Sequence, residues 1–279
     1  MVIDPSGLEK LLLLAIEEDL GAGDITSLAT VDALLEGEGF IRAKQHLVAA
    51  GTRILQPLWE IVDPEVKVNI AVEDGVRLAP GDTFASLRGR VRSLLAGERT
   101  CLNLLCHLCG VATLTARYVA AVGSDKTKIM DTRKTLPGMR LLEKEAVAAG
   151  GGYSHRSGLF SQILIKDNHI EACGGISAAL NLAHAFDYQG PVEIEVRDLA
   201  GLREALAGGV DIILLDNMEI EQIRQCVEEA KGRALTEVSG GVELSMIPAL
   251  AASGVDRISI GALTHSAPAA DLNMKIVRY

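Results

Sequence analysis

The sequence predicts an α/β protein, in which an N-terminal α+β sandwich domain is followed by an incomplete (open) α/β barrel. Two changes of periodicity predict this fold class. Between residues 38 and 92 apolar and polar residues alternate, which is typical of an antiparallel sheet. After residue 122 short apolar runs alternate with helical stretches, as in a parallel α/β architecture. A length of 279 residues suits one large domain, or one large and one small domain.

The N-terminal part is predicted to begin with a helix and to continue as a sheet. Apolar residues between Leu8 and Ile16 recur at helical spacing, and Gly21 is expected to end that helix. Asp74-Gly75 and Pro80-Gly81-Asp82 are turn signals between the strands that follow. A long helix is then expected from about Leu94 to Val122.

Six later apolar runs predict parallel strands joined by crossover helices. Their ends are 21 to 35 residues apart, which leaves room for one helix between each pair. A doubly wound sheet would collect its ligand at one switch point, whereas here a polar residue or a glycine ends every strand, as around a barrel mouth. Six strands fall short of eight, so we expect an open barrel. The predicted strand ends are Asp131, Lys166, Glu195, Asp216, Ser239 and Gly261.

The predicted domain boundaries follow from these patterns. The sandwich domain is expected to cover residues 1–110 and the catalytic barrel residues 111–266. The last segment, residues 267–279, alternates like a strand and is expected to return to the N-terminal sheet.

Composition excludes several classes of function. A net charge of −10 and an aromatic content of 3% argue against nucleic-acid binding, which needs basic faces or stacking platforms. The apolar stretch Leu11–Ile16 is too short to span a membrane, so we expect a cytoplasmic protein without a membrane contact. Five cysteines suit reduced thiols. Cys101, Cys106 and Cys109 have the spacing of plant-type iron–sulfur ligands, but a Leu-rich helical stretch favours small apolar packing residues.

Cations cluster at two of the predicted strand ends. Arg133 and Lys134 follow the first strand, Lys166 follows the second, and His155 and Arg156 lie between them. Any one of these side chains could simply solvate a strand end. Together, in an acidic chain, they predict an anion pocket at the carboxyl ends of parallel strands. Two arginines suit carboxylates, because the planar guanidinium matches a carboxylate with two hydrogen bonds.

The remaining strand ends carry glycines or carboxylates. The loops Ser239-Gly240-Gly241 and Ile260-Gly261-Ala262 follow the last two strands, where barrels commonly bind phosphate. Glu195 and Asp216 end neighbouring strands, and they could bind Mg²⁺ or ribose hydroxyls, or merely neutralise Lys166. The sequence pattern leaves both roles open.

Nine segments, in the same order along nearly the whole chain, resemble the quinolinate phosphoribosyltransferase family. The resemblance implies condensation of quinolinate with phosphoribosyl pyrophosphate, with release of CO2 and pyrophosphate, to give nicotinate mononucleotide for NAD biosynthesis. It also implies Mg²⁺ and a homodimer with shared active sites. The segments are EDLGAGDITS, GERTCLNLL, DTRKTLPGMR, GGGYSHRSGL, LIKDNHI, VEIEV, LLDN, SGGV and IGALTHSAPAAD.

The resemblance also implies roles for individual residues. Lys134, Lys166, Glu195 and Asp216 would be catalytic, with the two carboxylates serving ribose and Mg²⁺. Arg99 would enter the neighbouring subunit's site. The two glycine loops would hold the 5′-phosphate through Ser239, Gly240, Gly241, Ile260, Gly261 and Ala262. The quinolinate carboxylates and pyrophosphate would be held by Thr132, Arg133, Lys134, His155, Arg156 and Lys166. The chain departs from the family pattern beside the pocket, where Ser154 replaces the usual Asn.

Three other functions are compatible with parts of this pattern. Lys166 could form a Schiff base, as in barrel aldolases. A molybdenum-transport-associated relative would share the TRK, GGG and HR motifs, but it would not be expected to carry LIKDNHI, which is intact here. A small-anion binding protein without catalysis would need only the cations.

Overall fold

The structure is a computed structural model that describes residues 5–279, and the chain divides into two compact units. The first unit contains the residues up to Ala116 together with Leu136–Gly151 and Ser266–Tyr279. The second contains Arg117–Thr135 and Gly152–His265. The predicted boundary at residue 110 assigns Leu136–Gly151 to the barrel, because the local sequence pattern of this segment is that of a crossover helix.

The helices and strands alternate along the chain. The first part comprises α1 (Pro5–Leu20), α2 (Ile25–Thr30), β1 (Glu36–Ala43), β2 (Leu47–Val48), α3 (Thr52–Val62), β3 (Lys67–Ile70), β4 (Arg77–Leu78), β5 (Thr83–Arg90) and α4 (Val91–Val122). The second part comprises β6 (Lys128–Met130), α5 (Arg140–Ala149), β7 (Ile163–Ile165), α6 (Asp167–Cys173), α7 (Ile176–Ala185), β8 (Val192–Val196), α8 (Leu199–Ala207), β9 (Ile212–Asp216), α9 (Ile220–Ala230), β10 (Leu235–Ser239), a 3₁₀ turn (Leu244–Met246), α10 (Ile247–Ala252), β11 (Arg257–Ser259), α11 (Ala262–His265) and β12 (Leu272–Arg278).

The first unit is built on an antiparallel sheet with the strand order β12-β1-β5-β3. Alternate residues of β1 are buried, as the period-two pattern requires of a strand with one face on a core. The indole of Trp59 is fully buried on α3, and Gly97 lies directly against its ring, so that any larger side chain at this position of α4 would clash with it.

More than half of the most apolar part of helix α4 is buried inside the protein. It is long and apolar enough to span a membrane, with a mean hydropathy of 1.4, but 56% of that apolar window is buried inside the protein. Burial raises the pKa of the Cys101 and Cys109 thiols to about 12, so they are protonated at neutral pH. The Cys109 thiol donates to the carbonyl of Ala50. These cysteines therefore pack as apolar residues, and the iron–sulfur alternative is not supported.

The second unit is a parallel sheet of six strands in the order β6-β11-β10-β9-β8-β7. Strands β6 and β7 form its two edges, so the sheet is not closed into a barrel, which confirms the open architecture. The predicted strand ends also agree with the structure: Asp131 and Lys166 directly follow their strands, and Gly261 lies two residues beyond β11. Because the six strands are parallel, their carboxyl ends all lie along the same side of the sheet.

Candidate active site

A cavity of about 630 Å³ lies at the carboxyl ends of the parallel strands. Its lining includes every site residue suggested by the sequence except Arg99, which lies exposed on α4 of the first unit. Ser154, the departure from the family pattern, is exposed and is not part of the lining. Sequence reasoning had not assigned the other lining residues, which are Leu164, Leu214, Asn217, Glu237, Val242, Glu243, Ser259 and His265.

The buried carboxylate of Asp131 ties two of the cationic segments together. It accepts the backbone N–H of His155 at 2.8 Å, and the Asp131 N–H donates to the carbonyl of Tyr153 at 3.0 Å. The segment that carries Arg156 therefore runs alongside the end of β6, and Arg133 lies in the loop that follows this strand. Burial, and then the neighbouring Arg133 guanidinium, lower the pKa of Arg156. A guanidinium whose charge is disfavoured by a neighbouring guanidinium favours binding of an anion beside both.

Lys166 forms an ion pair with Glu195, at 2.7 Å between Nζ and Oε2. Glu195 projects from β8 and its side chain is only 8% exposed, whereas that of Lys166 is 45% exposed. A Schiff-base nucleophile must be free to attack a carbonyl, whereas the Lys166 nitrogen is engaged by the Glu195 carboxylate. The neutralising role of Glu195 is therefore present in the structure, and it argues against covalent chemistry at Lys166.

Asp216 ends β9 and is held by two residues that sequence reasoning did not assign. The Asn217 amide donates to its Oδ1 at 3.0 Å, and Arg197 approaches its Oδ2 at 4.0 Å while pairing with Asp167 at 2.7 Å. Asn217 has a positive φ of 52°, a left-handed conformation that Asn tolerates better than most residues. Residues other than glycine in this conformation cluster at functional sites, and Asn217 directly follows Asp216 in the LLDN motif.

The two glycine loops require residues without a Cβ at specific positions. Gly240 has a φ of 104° and lies against the Asn217 amide, so a side chain there would be both strained and obstructed. A Cβ at Gly261 would lie 2.8 Å from Cδ of Lys134. The Thr264 hydroxyl donates to the carbonyl of Lys134 at 2.7 Å, which fixes the loop after β6 beside the loop after β11. Both loops leave room for a phosphate to approach the backbone.

A cluster of His155, Glu193 and Glu237 lies beneath the cations. Nε2 of His155 is 3.2 Å from Oε2 of Glu193 and 3.2 Å from Oε1 of Glu237, and both carboxylates are fully buried. Burial lowers the pKa of His155, but the hydrogen bonds and charges of the two carboxylates outweigh it and raise the pKa to about 9. Burial raises the pKa of Glu193. Nδ1 of His155 lies 2.7 Å from the Arg156 backbone nitrogen and can accept its N–H only when the ring is neutral; in that tautomer Nε2 carries the proton that faces the carboxylates.

Two sets of side chains could hold a metal ion. Within residues 5–279, His155, Glu193 and Glu237 bring potential ligand atoms within 4.8 Å of one another, but the hydrogen bonds above already satisfy most of these atoms. Glu195 and Asp216 offer carboxylate oxygens in the lining of the cavity. Mg²⁺ is usually bound by one or two carboxylates together with substrate phosphates, so these two residues fit Mg²⁺.

Comparisons with known proteins agree with this geometry. Residues 24–109 match the family "Quinolinate phosphoribosyl transferase, N-terminal domain", and residues 111–275 match the corresponding C-terminal domain. A Bacillus subtilis protein named probable nicotinate-nucleotide pyrophosphorylase [carboxylating] is 41% identical over 96% of this chain and 93% of its own length. The Mycobacterium leprae nicotinate-nucleotide pyrophosphorylase [carboxylating] is 42% identical over 94% of each chain.

A solved structure gives the same result for the whole chain. The crystal structure of NadC from Streptococcus pyogenes superposes with a TM-score of 0.95 and 41% identity, and covers 100% of this chain and 99% of that one. Both domains, the strand order and the motif residues at the strand ends therefore have the same explanation: the chain belongs to the quinolinate phosphoribosyltransferase family.

Proposed function

We propose that this protein transfers a phosphoribosyl group from phosphoribosyl pyrophosphate to quinolinate and decarboxylates the product to nicotinate mononucleotide. The observation that carries the proposal is a cavity that Arg133 and Arg156 line together with two glycine loops and the carboxylates of Glu195 and Asp216. The arginines suit the two carboxylates of quinolinate, and the glycine loops suit the 5′-phosphate. The names of the relatives support the same reaction.

The proposed reaction has two chemical steps, phosphoribosyl transfer and then decarboxylation. The quinolinate nitrogen bonds to the ribose anomeric carbon, and the bond from that carbon to pyrophosphate breaks with its electron pair on the leaving group. Lys134 and Lys166 line the cavity and would stabilise that anion. The adjacent carboxylate then leaves as CO2, and the cationic ring nitrogen stabilises the electron pair left on carbon until a proton is taken up.

Glu195 and Asp216 serve the ribose and the metal in this proposal. Both are oxygen donors on neighbouring strands, and Asp216 is oriented by Asn217. Mg²⁺ bound there with the substrate phosphates would neutralise charge on the pyrophosphate. Arg197, which lies between Asp167 and Asp216, would hold the Asp216 carboxylate in place before the metal and the substrate bind.

Removal of divalent cations is expected to stop product formation. In excess EDTA the rate should fall to background, because the pyrophosphate charge would be unscreened, and excess Mg²⁺ should restore it. A matched addition of NaCl is the control for ionic strength. In Asp216→Asn, the Mg²⁺ concentration that gives half-maximal rate should rise. A full rate in EDTA would contradict the metal assignment.

Quinolinate is expected to be preferred over nicotinate by at least about tenfold in kcat/KM. Nicotinate lacks one carboxylate, so it would leave one pocket cation without its charged hydrogen bond, at a cost of about 1.5–3 kcal/mol. Both substrates would give nicotinate mononucleotide, but only quinolinate releases CO2. With the two at equal concentration, the CO2 formed measures quinolinate use, and the nicotinate mononucleotide formed in excess of CO2 measures nicotinate use. Equal use of both would contradict the proposed carboxylate pocket.

A homodimer with shared active sites and a cytoplasmic location also belong to this proposal. Arg99 is exposed on α4, and it would add a cation to the site of the neighbouring subunit. The five free cysteines suit a reducing compartment. No nucleic acid or membrane is proposed as a partner.

One assay tests the reaction itself. Quinolinate, phosphoribosyl pyrophosphate and Mg²⁺ are mixed with the protein, and nicotinate mononucleotide, CO2 and pyrophosphate are measured together. Equimolar products are expected. Binding of quinolinate without any of the three products would favour the non-catalytic anion-binding alternative. The aldolase and molybdenum-associated alternatives are not favoured by the named relatives.

A further inference from the structure

Two carboxylates are buried beneath a pocket that is otherwise built for anions. Glu193 on β8 and Glu237 on β10 are both fully buried, and they lie on strands that flank β9. A buried carboxylate is costly unless it is hydrogen-bonded or paired with a charge. Placing two of them close to the substrate cations adds negative charge where the ligand is itself negative. Their presence therefore calls for a role beyond packing.

Their hydrogen bonds converge on one nitrogen atom. The Gln162 amide donates to Oε2 of Glu193 at 2.8 Å, and the Ser259 hydroxyl donates to Oε1 of Glu237. Each carboxylate also lies 3.2 Å from Nε2 of His155. Because donors from the ends of β7 and β11 orient the two glutamates, the imidazole is clamped from two sides.

The His155 imidazole in turn fixes the position of the next residue, Arg156. Its Nδ1 accepts the backbone N–H of Arg156 at 2.7 Å, while the backbone N–H of His155 is bonded to Asp131 at 2.8 Å. The Arg156 main chain is therefore fixed relative to β8 and β10 through a chain of carboxylate, imidazole and amide. The guanidinium that follows lines the cavity.

We infer that Glu193 and Glu237 are positioning residues, which hold the His155 ring and through it the Arg156 segment in the geometry that binds a quinolinate carboxylate. This inference rests on the proposed function. The main effect is expected on quinolinate binding. Glu193 is hydrogen-bonded to Gln162 and His155, and besides His155 Glu237 is hydrogen-bonded to Ser259, the residue before the second phosphate loop.

Glu193→Gln is the sharpest single substitution. It keeps the shape of the side chain, but either orientation of the new amide places its NH₂ group within 3.4 Å of His155 Nε2, where a donor faces a donor. The KM for quinolinate is expected to rise about tenfold, in line with loss of one charged hydrogen bond. The KM for phosphoribosyl pyrophosphate should stay within about twofold. Glu237→Gln should give a smaller change of the same kind, because its Oε1 can remain an acceptor.

A double-mutant cycle separates positioning from general stability. In His155→Asn the side-chain oxygen can replace Nδ1 as the acceptor for Arg156, but nothing reaches the glutamates. Adding Glu193→Gln to this background should change the quinolinate KM by less than about twofold, because the residue through which Glu193 acts is already absent. If Glu193 had only a structural role, the fold-changes in quinolinate KM caused by His155→Asn and Glu193→Gln would multiply in the double variant.

Glu143→Gln is the matched control, since Glu143 is a fully buried carboxylate paired with His107 at 2.7 Å in the first unit. Its quinolinate KM should remain within about twofold of wild type. If Glu193→Gln does not fold, Gln162→Ala removes only the amide donor to Glu193, and it should raise the same KM by a smaller factor.

Three results would overturn the inference. The first is an unchanged quinolinate KM in folded Glu193→Gln or, where that variant does not fold, in folded Gln162→Ala. The second is an equal rise in both substrates' KM values. The third is stoichiometric metal in the purified wild type that is lost in Glu193→Gln, which would make the cluster a metal site. If wild type forms no product at all, the proposed function fails, which is a distinct outcome. Isothermal titration with quinolinate would then still report whether Glu193→Gln weakens anion binding.

Discussion

Lys166→Ala is expected to lower kcat by about a hundred- to a thousandfold, whereas Lys166→Arg should retain measurable activity. The Lys166 ammonium lines the cavity and is held at 2.7 Å from Glu195, so it can stabilise a departing anion without reorganising. Removing such a preorganised charge typically costs two to three orders of magnitude in kcat. Alanine would also leave the largely buried Glu195 carboxylate without its cation, which adds to the loss.

The same experiment distinguishes electrostatic from covalent catalysis. Borohydride reduction in the presence of substrate, followed by mass spectrometry, should find no adduct on Lys166. The control variant is Lys231→Ala, because Lys231 forms an exposed pair with Glu228 at 3.8 Å and its loss should change the rate by less than about twofold. A reduced adduct on Lys166, or full loss of activity in Lys166→Arg, would support the aldolase-like alternative.

Much of the fold was predictable because buried parallel strands leave a strong local signal. The runs before Asp131 and Lys166 are apolar and short, and each stops at polar residues, so the strand ends could be located to within about two residues. Parallel connectivity then brings those ends to one edge of the sheet without further information. The open form also followed, since six strands cannot close the usual eight-stranded barrel.

Glu193 was missed, although the sequence contains a signal for it. Strand β8 reads VEIEV, and an alternating pattern normally places its charged residues in water. All five residues are in fact buried. Where helices cover one face of a strand, the apolar residues of an alternating strand point to that face. Glu193 and Glu195 therefore point to the opposite face, which lies in the interior. An alternating strand inside a parallel sheet therefore indicates a polar interior.

Other features have no local signal. Arg197 is a lone arginine after a strand, and its pairing with Asp167 and Asp216 depends on three chain segments coming together. The grouping of α5 with the first unit likewise depends on contacts of residues far apart in sequence, such as Glu143 with His107. Neither partner choice can be derived from periodicity, which reports only which face of an element is buried.

Mixing two inactive variants is expected to restore about a quarter of wild-type activity if the active site is shared between subunits. Arg99 lies exposed in the first unit and is not part of the cavity lining, whereas Lys166 is part of that lining. Arg99→Ala and Lys166→Ala homodimers should each be nearly inactive. After refolding at equal amounts, about half of the dimers should be mixed on random assortment. Each mixed dimer then carries both lesions in one site and neither in the other.

A second mixture provides the matched control for this experiment. Arg133→Ala and Lys166→Ala both alter the barrel of their own chain, so every site in their mixed dimers contains one lesion and activity should not recover. Wild type refolded in the same way sets the full scale, and differently tagged chains verify that mixed dimers form. If verified mixed dimers of Arg99→Ala and Lys166→Ala stay inactive, Arg99 acts within its own chain. Recovery in this mixture but not in the control can arise only when the two residues meet across subunits.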